Sequence, residues 1–427
     1  MRQPLVANTG SRQAMPLYER RLIFVLLITL PFLNLFRAAA MMDSIVLISD
    51  VLLLAALLAF WGRTAIQRKS LRIPHPFVFQ LTVLWIVITL LGIVVGVSEP
   101  KHPALFTIVR LARLYALSLL FFFTSRWFRR ADIILLAKAL VIIGMVTSLY
   151  GVYQEIFGFT PFERAYLASP AVGGFTRNPD LFNRMFSTFG APGIFATYGL
   201  FSFWLSVGLW GEFGAARYGR ALLVVAMLLA VAALVVSRMR LALASLVISL
   251  LFYLLLRIRH FKAVVSSTAA LLLLSVILVV LANSTGFVTF LNLEDLMASF
   301  EVRVSVLENV LPSLSVTRPL GRGIGASIVE PIPLDNSYLN LTLELGWFGL
   351  AAFSLLALSV FLSGLIRTRS IGDATWRGLC TGIWLGILCI AMMGNGSSVF
   401  FNSIMSPYFW FFAGVLGNSA LMEKQQC

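Results

Sequence analysis

Charge is scarce in this chain. Only 12% of its 427 residues are Asp, Glu, Lys or Arg and 59% are apolar, whereas a soluble domain carries about a quarter charged and about half apolar residues. With a mean hydropathy of +0.92, a water-soluble enzyme and a disordered polymer are both excluded. The chain reads as a polytopic membrane protein. Histidine is nearly missing too: His75, His102 and His260 stand singly, so no cluster of metal ligands is visible and no metal is expected. Cys380, Cys389 and Cys427 are too few, and wrongly spaced, for a zinc site or a disulfide framework. A nucleotide loop is also lacking. The stretch TRPLGRGIGAS, with Gly321, Gly323 and Gly325, permits a tight turn with exposed amides but has neither the spacing nor the lysine of a phosphate-binding loop.

What is there is apolar runs. A helix needs about 20 apolar residues to cross a bilayer, and about twelve such runs are expected, near 22–42, 44–62, 77–97, 104–124, 132–156, 190–210, 221–236, 240–256, 262–282, 338–365, 376–393 and 401–418. The seventh and eighth are parted only by SRMR, 237–240. With the N-terminus inside, every segment expected on the cytoplasmic side is basic, and these segments hold most of the 33 lysines and arginines, as the positive-inside rule asks. The net charge of +15 is therefore an orientation signal and requires no nucleic acid. The expected organisation is a cytoplasmic tail 1–21, spans one to nine over 22–282 with an external loop at 157–189, a large periplasmic loop 283–337, spans ten to twelve over 338–418, and a cytoplasmic tail 419–427. The fold class is all-α integral membrane, both termini cytoplasmic, with a partly helical external loop capping the site.

The residues that resist the orientation rule are the informative ones. The two long external loops and the SRMR turn carry Arg164, Arg177, Arg184, Arg238, Arg240, Arg303, Arg318 and Arg322 and no lysine. Arginine offers a planar, two-pronged match to phosphate that lysine lacks, so either a bound anion or plain anchoring to lipid headgroups is read here. Arg238 has the strongest individual case, because a guanidinium in a tight turn between two apolar helices is costly without an anion. Leu293, Leu296, Met297, Phe300, Val304, Leu307 and Leu311 recur at helical spacing, which lays this segment on the outer interface with Arg303 at its edge. Within the spans, Asp50 is expected to pair with Arg110 or Arg113, and Lys138 to reach the inner face.

Four stretches, NRMFSTFGAPGIFATYGL at 183–200, the VVSRMR turn, VRVSVLENVLPSLSVTRPLGRGIGAS and LDNSYLNLTLELGWFGL, resemble in order the signature of the bacterial O-antigen ligase and O-antigen polymerase superfamily. The resemblance implies a GT-C-type membrane glycosyltransferase of the inner membrane, working on undecaprenyl-diphosphate-linked glycans at the periplasmic face without cofactor. It implies that Arg184, Arg238 and Arg303 hold the donor's diphosphate, with Asn336, Tyr338, Arg240, Arg318 and Arg322 as further glycan or diphosphate contacts. Its implied partners are the lipid-linked glycan, an acceptor glycan or lipid A core, membrane lipids and, as a further candidate, a chain-length regulator.

Where the family motif usually reads His-Asn, this chain reads Asp335-Asn336. A carboxylate can accept the proton of an attacking sugar hydroxyl, so Asp335 is the candidate catalytic base; an Asp immediately before a helical run also reads as a helix cap. Polysaccharide polymerisation, ligation to lipid A core and, from another class, flipping or export of lipid-linked oligosaccharide are the functional readings. The concentration of polar residues in external loops, and not along a path through the spans, favours an enzyme over a carrier.

Overall fold

The computed structural model describes residues 17–33, 76–98, 118–121, 128–168, 184–213, 217–257, 319–326 and 335–418, with a few isolated positions between them. Among the described residues there is no strand. The helices are α1 (Leu17–Thr29), α2 (Pro76–Ser98), α3 (Arg130–Phe157), α4 (Pro161–Ala168), α5 (Pro192–Gly208), α6 (Arg217–Val236), α7 (Arg240–Arg257), α8 (Ser337–Ser370), α9 (Ala374–Met393) and α10 (Met405–Gly417). Six of them, α2, α3, α5, α6, α8 and α9, are long and apolar enough to cross a membrane, and α1 and α7 supply shorter apolar stretches. The chain is an all-α membrane protein. The expected runs 44–62 and 262–282, most of 104–124, and Asp50, Arg110 and Arg113 lie outside the described residues. Outward-facing Leu84, Val94, Ile142, Leu228, Leu358 and Ile366 are exposed, the arrangement lipid demands and water penalises.

Local sequence sets the helix ends. Pro76 and Pro192 open α2 and α5, where a missing N–H and a fixed φ are harmless. Asp132 in the first turn of α3 accepts from the Arg129 N–H at 3.0 Å, and Gly158, at φ 78°, ends the same helix with its N–H on the Gln154 carbonyl. The centre of the bundle is the pair α5 and α9, both mostly buried. They approach through glycine: a Cβ on Gly208 would stand 3.0 Å from the Leu379 Cα, and one on Gly386 would press on the Phe201 ring at 2.6 Å. Small residues at facing positions let membrane helices pack backbone to backbone. The indole and phenol groups sealed in this core find partners, as lipid requires. Trp204 Nε1–H donates to Ser249 Oγ at 3.0 Å, Trp384 Nε1–H to the Phe361 carbonyl at 2.8 Å, and the Tyr408 hydroxyl to the Leu27 carbonyl at 2.6 Å.

One end of the bundle is basic and tied by ion pairs. Arg130 pairs with Asp373 and lies over the Trp376 ring at 5.1 Å; Lys138 meets Glu212 at 3.1 Å. Asp373 also caps α9, accepting from the Thr375 and Trp376 N–H groups at 2.8 and 3.1 Å. The Arg130 guanidinium, and after it the Trp376 amide, hold the Asp373 carboxyl below the ordinary range.

The opposite end has a feature that the sequence pattern does not announce. Gly346 breaks α8 at φ 68°, and the turn 319–326 fills the break. The Arg322 N–H donates to the Leu343 carbonyl at 2.9 Å, Gly323 to Glu344 at 3.0 Å, and Phe348 to Pro319 at 3.4 Å, while Ile324 reaches the Gly92 carbonyl of α2 at 2.9 Å. Carbonyls released by the break thus receive donors from the turn, which is how irregular backbone survives at membrane depth. Gly321, Gly323 and Gly325 all have positive φ, and no Cβ fits on Gly323 beside the Gly96 backbone. The three glycines do form a tight turn, but its amides at 322–324 are committed to α8 and α2 and make no exposed cradle.

Candidate functional site

The end away from Arg130 and Lys138 is assembled around the N-terminus of α5. A Cβ on Gly193 would stand 2.7 Å from Ser397 Oγ and 3.3 Å from Met239 Cε, so the turn between α6 and α7 and the segment after α9 close on this residue together. The start of α8 joins the same cluster: the Ser337 N–H donates to the Gly394 carbonyl at 2.8 Å and Ser337 Oγ to the Ser397 carbonyl at 2.9 Å. The loop before α5 is tied in by the Met185 N–H, which donates to the Val236 carbonyl at 3.2 Å. Arg184, Arg238, Arg240 and Asp335 are therefore carried by backbone segments that meet at one end of the bundle.

A buried polar network fixes the loop that carries Arg184. Glu163 of α4 is 2% exposed, and its two oxygens accept from Tyr150 Oη at 2.9 Å, Gln154 Nε2 at 2.6 Å, and Thr160 N and Oγ1 at 2.8 and 2.7 Å. Four donors compensate the desolvated carboxylate. Gln154 turns its other edge to the loop, its Oε1 accepting from the Ser187 N–H at 2.7 Å, while Ser187 Oγ donates to the Thr147 carbonyl at 2.6 Å. Ser187 is held at φ 52° by these bonds. Thr188 Oγ1 reaches the Pro31 carbonyl after α1 at 2.6 Å.

Arg238 stands in the turn at φ 53°, its N–H closing α6 on the Val235 carbonyl at 3.0 Å. Its Nη2 meets Glu155 Oε1 at 2.8 Å, with both side chains about one third exposed. Arg240 opens α7 two residues on. Asp335 is exposed and stops just short of the helix. The cap of α8 is Asn336 and not Asp335: its Oδ1 accepts from the Tyr338 and Leu339 N–H groups at 2.9 and 3.1 Å, and its Nδ2 donates to the Asn395 carbonyl at 3.2 Å. Asp335 is thus released from the capping role that its position suggested. Tyr338 donates its hydroxyl to the Ala391 carbonyl at 2.7 Å, so in this state Asn336 and Tyr338 shape the site's wall. Arg322 is half-buried in the turn that fills the α8 break, roughly two helical turns below Ser337. Arg303, Arg318 and the stripe from Leu293 to Leu311 lie largely outside the described residues.

Sequence reasoning missed Glu155, the Gln154–Glu163 network and the break at Gly346. The signal for the first two was the polar pair Gln154-Glu155 at the C-terminal end of an otherwise apolar run. Among the described residues no group of three or more His, Cys, Asp or Glu converges on a metal position. What gathers is arginine and the carboxylates of Asp335 and Glu155, the latter already on Arg238, a set suited to holding an oxyanion beside a proton acceptor.

No curated protein matches the chain. A family model described as O-antigen ligase matches residues 225–354, a segment that runs from α6 through the Arg238 turn, the glycine turn and Asp335 to beyond the break in α8. Over this segment the chain is similar to the O-antigen ligase family.

Proposed function

We propose that the protein is a glycosyltransferase that moves a glycan from undecaprenyl diphosphate to an acceptor hydroxyl at the arginine-lined, periplasmic end of the bundle. The observation that carries this reading is the convergence of the Arg184 loop, the Arg238–Arg240 turn and Asp335 around Gly193, within and beside the segment that matches the O-antigen ligase model. In the proposed reaction the acceptor oxygen attacks the anomeric carbon. The new C–O bond forms as the bond from that carbon to the diphosphate oxygen breaks, undecaprenyl diphosphate departs, and Asp335 takes the acceptor's proton. Arg184, Arg238 and Arg303 offset the negative charge that grows on the leaving group; Arg240, Arg318 and Arg322 supply further positive charge. The lipid tail of the donor suits a site at the lipid edge.

Asp335 in place of the family's histidine inclines the reading towards polymerisation, with another lipid-linked repeat unit as acceptor. The family model's description favours the second reading, ligation to lipid A core. Supplying lipid-linked repeat units alone, and then together with lipid A core, separates the two. A ladder from repeat units alone identifies a polymerase, transfer that waits for core identifies a ligase, and outward movement of lipid-linked glycan without any new glycosidic bond sinks both in favour of a carrier. Asp335→Asn is expected to retain donor binding and lose turnover; full activity in that variant removes Asp335 as the base.

A further inference from the structure

The pairing of Arg238 with Glu155 bears on how the donor is taken up and released. Glu155 sits in the last turn of α3, where the helix dipole disfavours a carboxylate, and it is not part of the buried network that employs its neighbour Gln154. Its oxygen instead meets Nη2 of Arg238 at 2.8 Å. This nitrogen belongs to both two-pronged edges of a guanidinium, so an anion on it occupies one of the edges that a phosphate would grip. Among the described residues, Glu155 is the ion-pair partner of Arg238. Each side chain is about one third exposed, so the contact can open without dismantling the core. The Arg238 backbone is fixed by its own N–H on Val235 and by the Ser237 N–H on Ala233, which leaves the side chain as the part that moves.

We propose that Glu155 is a resident stand-in for the donor's diphosphate: its carboxylate occupies Arg238 in the empty enzyme, is displaced when a diphosphate arrives, and returns as the product diphosphate leaves. This inference rests on the reading of Arg238 as a diphosphate ligand. Glu155 is then a positioning and affinity-setting residue, without contact to the reacting atoms. Exchange of a single carboxylate for a more highly charged diphosphate is favourable, yet the carboxylate weakens net binding and so speeds product release.

The test uses the full chain in detergent micelles with farnesyl diphosphate as a short-tailed probe. Glu155→Gln keeps the side chain's size and removes its charge, and is expected to tighten probe binding by about two- to fivefold, the range of a partly exposed ion pair, with Glu155→Ala in the same direction. The gain must vanish in an Arg238→Ala background, since a double-mutant cycle isolates the coupling. In turnover, Glu155→Gln is expected to lower KM and kcat together, the mark of slowed release. Unchanged or weaker probe binding in Glu155→Gln would overturn the stand-in and leave Glu155 as a simple orienting group for Arg238. An equal gain for phosphatidylglycerol also overturns it, in favour of a general headgroup anchor. If Arg238→Ala alone leaves farnesyl diphosphate binding intact, the diphosphate reading of Arg238 itself fails, a result distinct from the other two.

Discussion

Ser187 and Arg238 are the non-glycine residues with positive φ among those described, and they flank the same site. A left-handed backbone costs an L-residue about 1 kcal/mol or more, and such strain persists where surrounding bonds enforce it. At Ser187 the bonds to Gln154 and Thr147 do so. At Arg238 the proposed diphosphate contact of the side chain is the reason to tolerate it. Arg238→Gly is therefore expected to leave thermal stability equal or slightly raised while abolishing glycan transfer, a split that unfolding in detergent and an activity assay read side by side. Arg238→Lys preserves charge and backbone but not the two-pronged edge, and its kcat is expected to fall on the order of 100-fold, the cost of one lost oxyanion donor. Glu163→Ala strands the donors of Tyr150, Gln154 and Thr160. At about 1–3 kcal/mol per orphaned buried group, it should lower the unfolding temperature strongly and loosen the Arg184 loop.

At the scale of elements, the six span-length helices were legible in the sequence because apolar length specifies a span, whereas α4, inside the expected loop 157–189, was not. The start of α2 near Phe77, the limits of α3 and the separation of α6 from α7 at Ser237–Met239 follow from apolar runs and their interruptions. The break in α8 was not legible, because the run LELGWFGL offers two glycines, Gly346 and Gly349, and only Gly346 leaves the helix. What breaks the helix is a partner from elsewhere in the chain, the Pro319 carbonyl, which meets the Phe348 N–H there. The cap was misplaced by one residue for a similar reason: Asp and Asn both suit the position, and the Asn395 carbonyl that engages Asn336 is remote in sequence. Gly346→Ala should displace the 319–326 turn, since φ 68° and the Pro319 carbonyl leave no room for a side chain; faster proteolysis within 319–326 is the expected sign. At the basic end, Asp373 joins α9 to α3 through Arg130. Its carboxyl is held below the usual value, so its stabilising effect is complete above the ordinary carboxylate range and fades as pH falls through the depressed value. Asp373→Asn should flatten that acid-side decline in unfolding temperature.

At the scale of the whole molecule, charge asymmetry and site placement agree: the ion-paired basic end and the arginine-and-carboxylate end lie at opposite ends of the spans. Ala165, exposed on α4, and Tyr218, 90% exposed near the start of α6, sample the two ends. In intact cells an Ala165→Cys variant is expected to react with an impermeant thiol reagent, and Tyr218→Cys only after permeabilisation. Cys380 and Cys389 are buried and should contribute little background, and Cys427 is replaced by Ser in both variants so that label on the tail is not read as label at Tyr218. The reverse labelling pattern would turn the molecule over and remove the periplasmic site.

The filled break in α8 also bears on how the protein is made. The turn 319–326 is synthesised before α8 and long after α2, yet it satisfies carbonyls on both. While α8 leaves the insertion machinery, Leu343 and Glu344 need temporary hydrogen-bond partners, water or another segment, until the turn folds back from outside into the gap. If that turn docks only after α8 has inserted, its exposure to proteases distinguishes an inserted chain from a finished one.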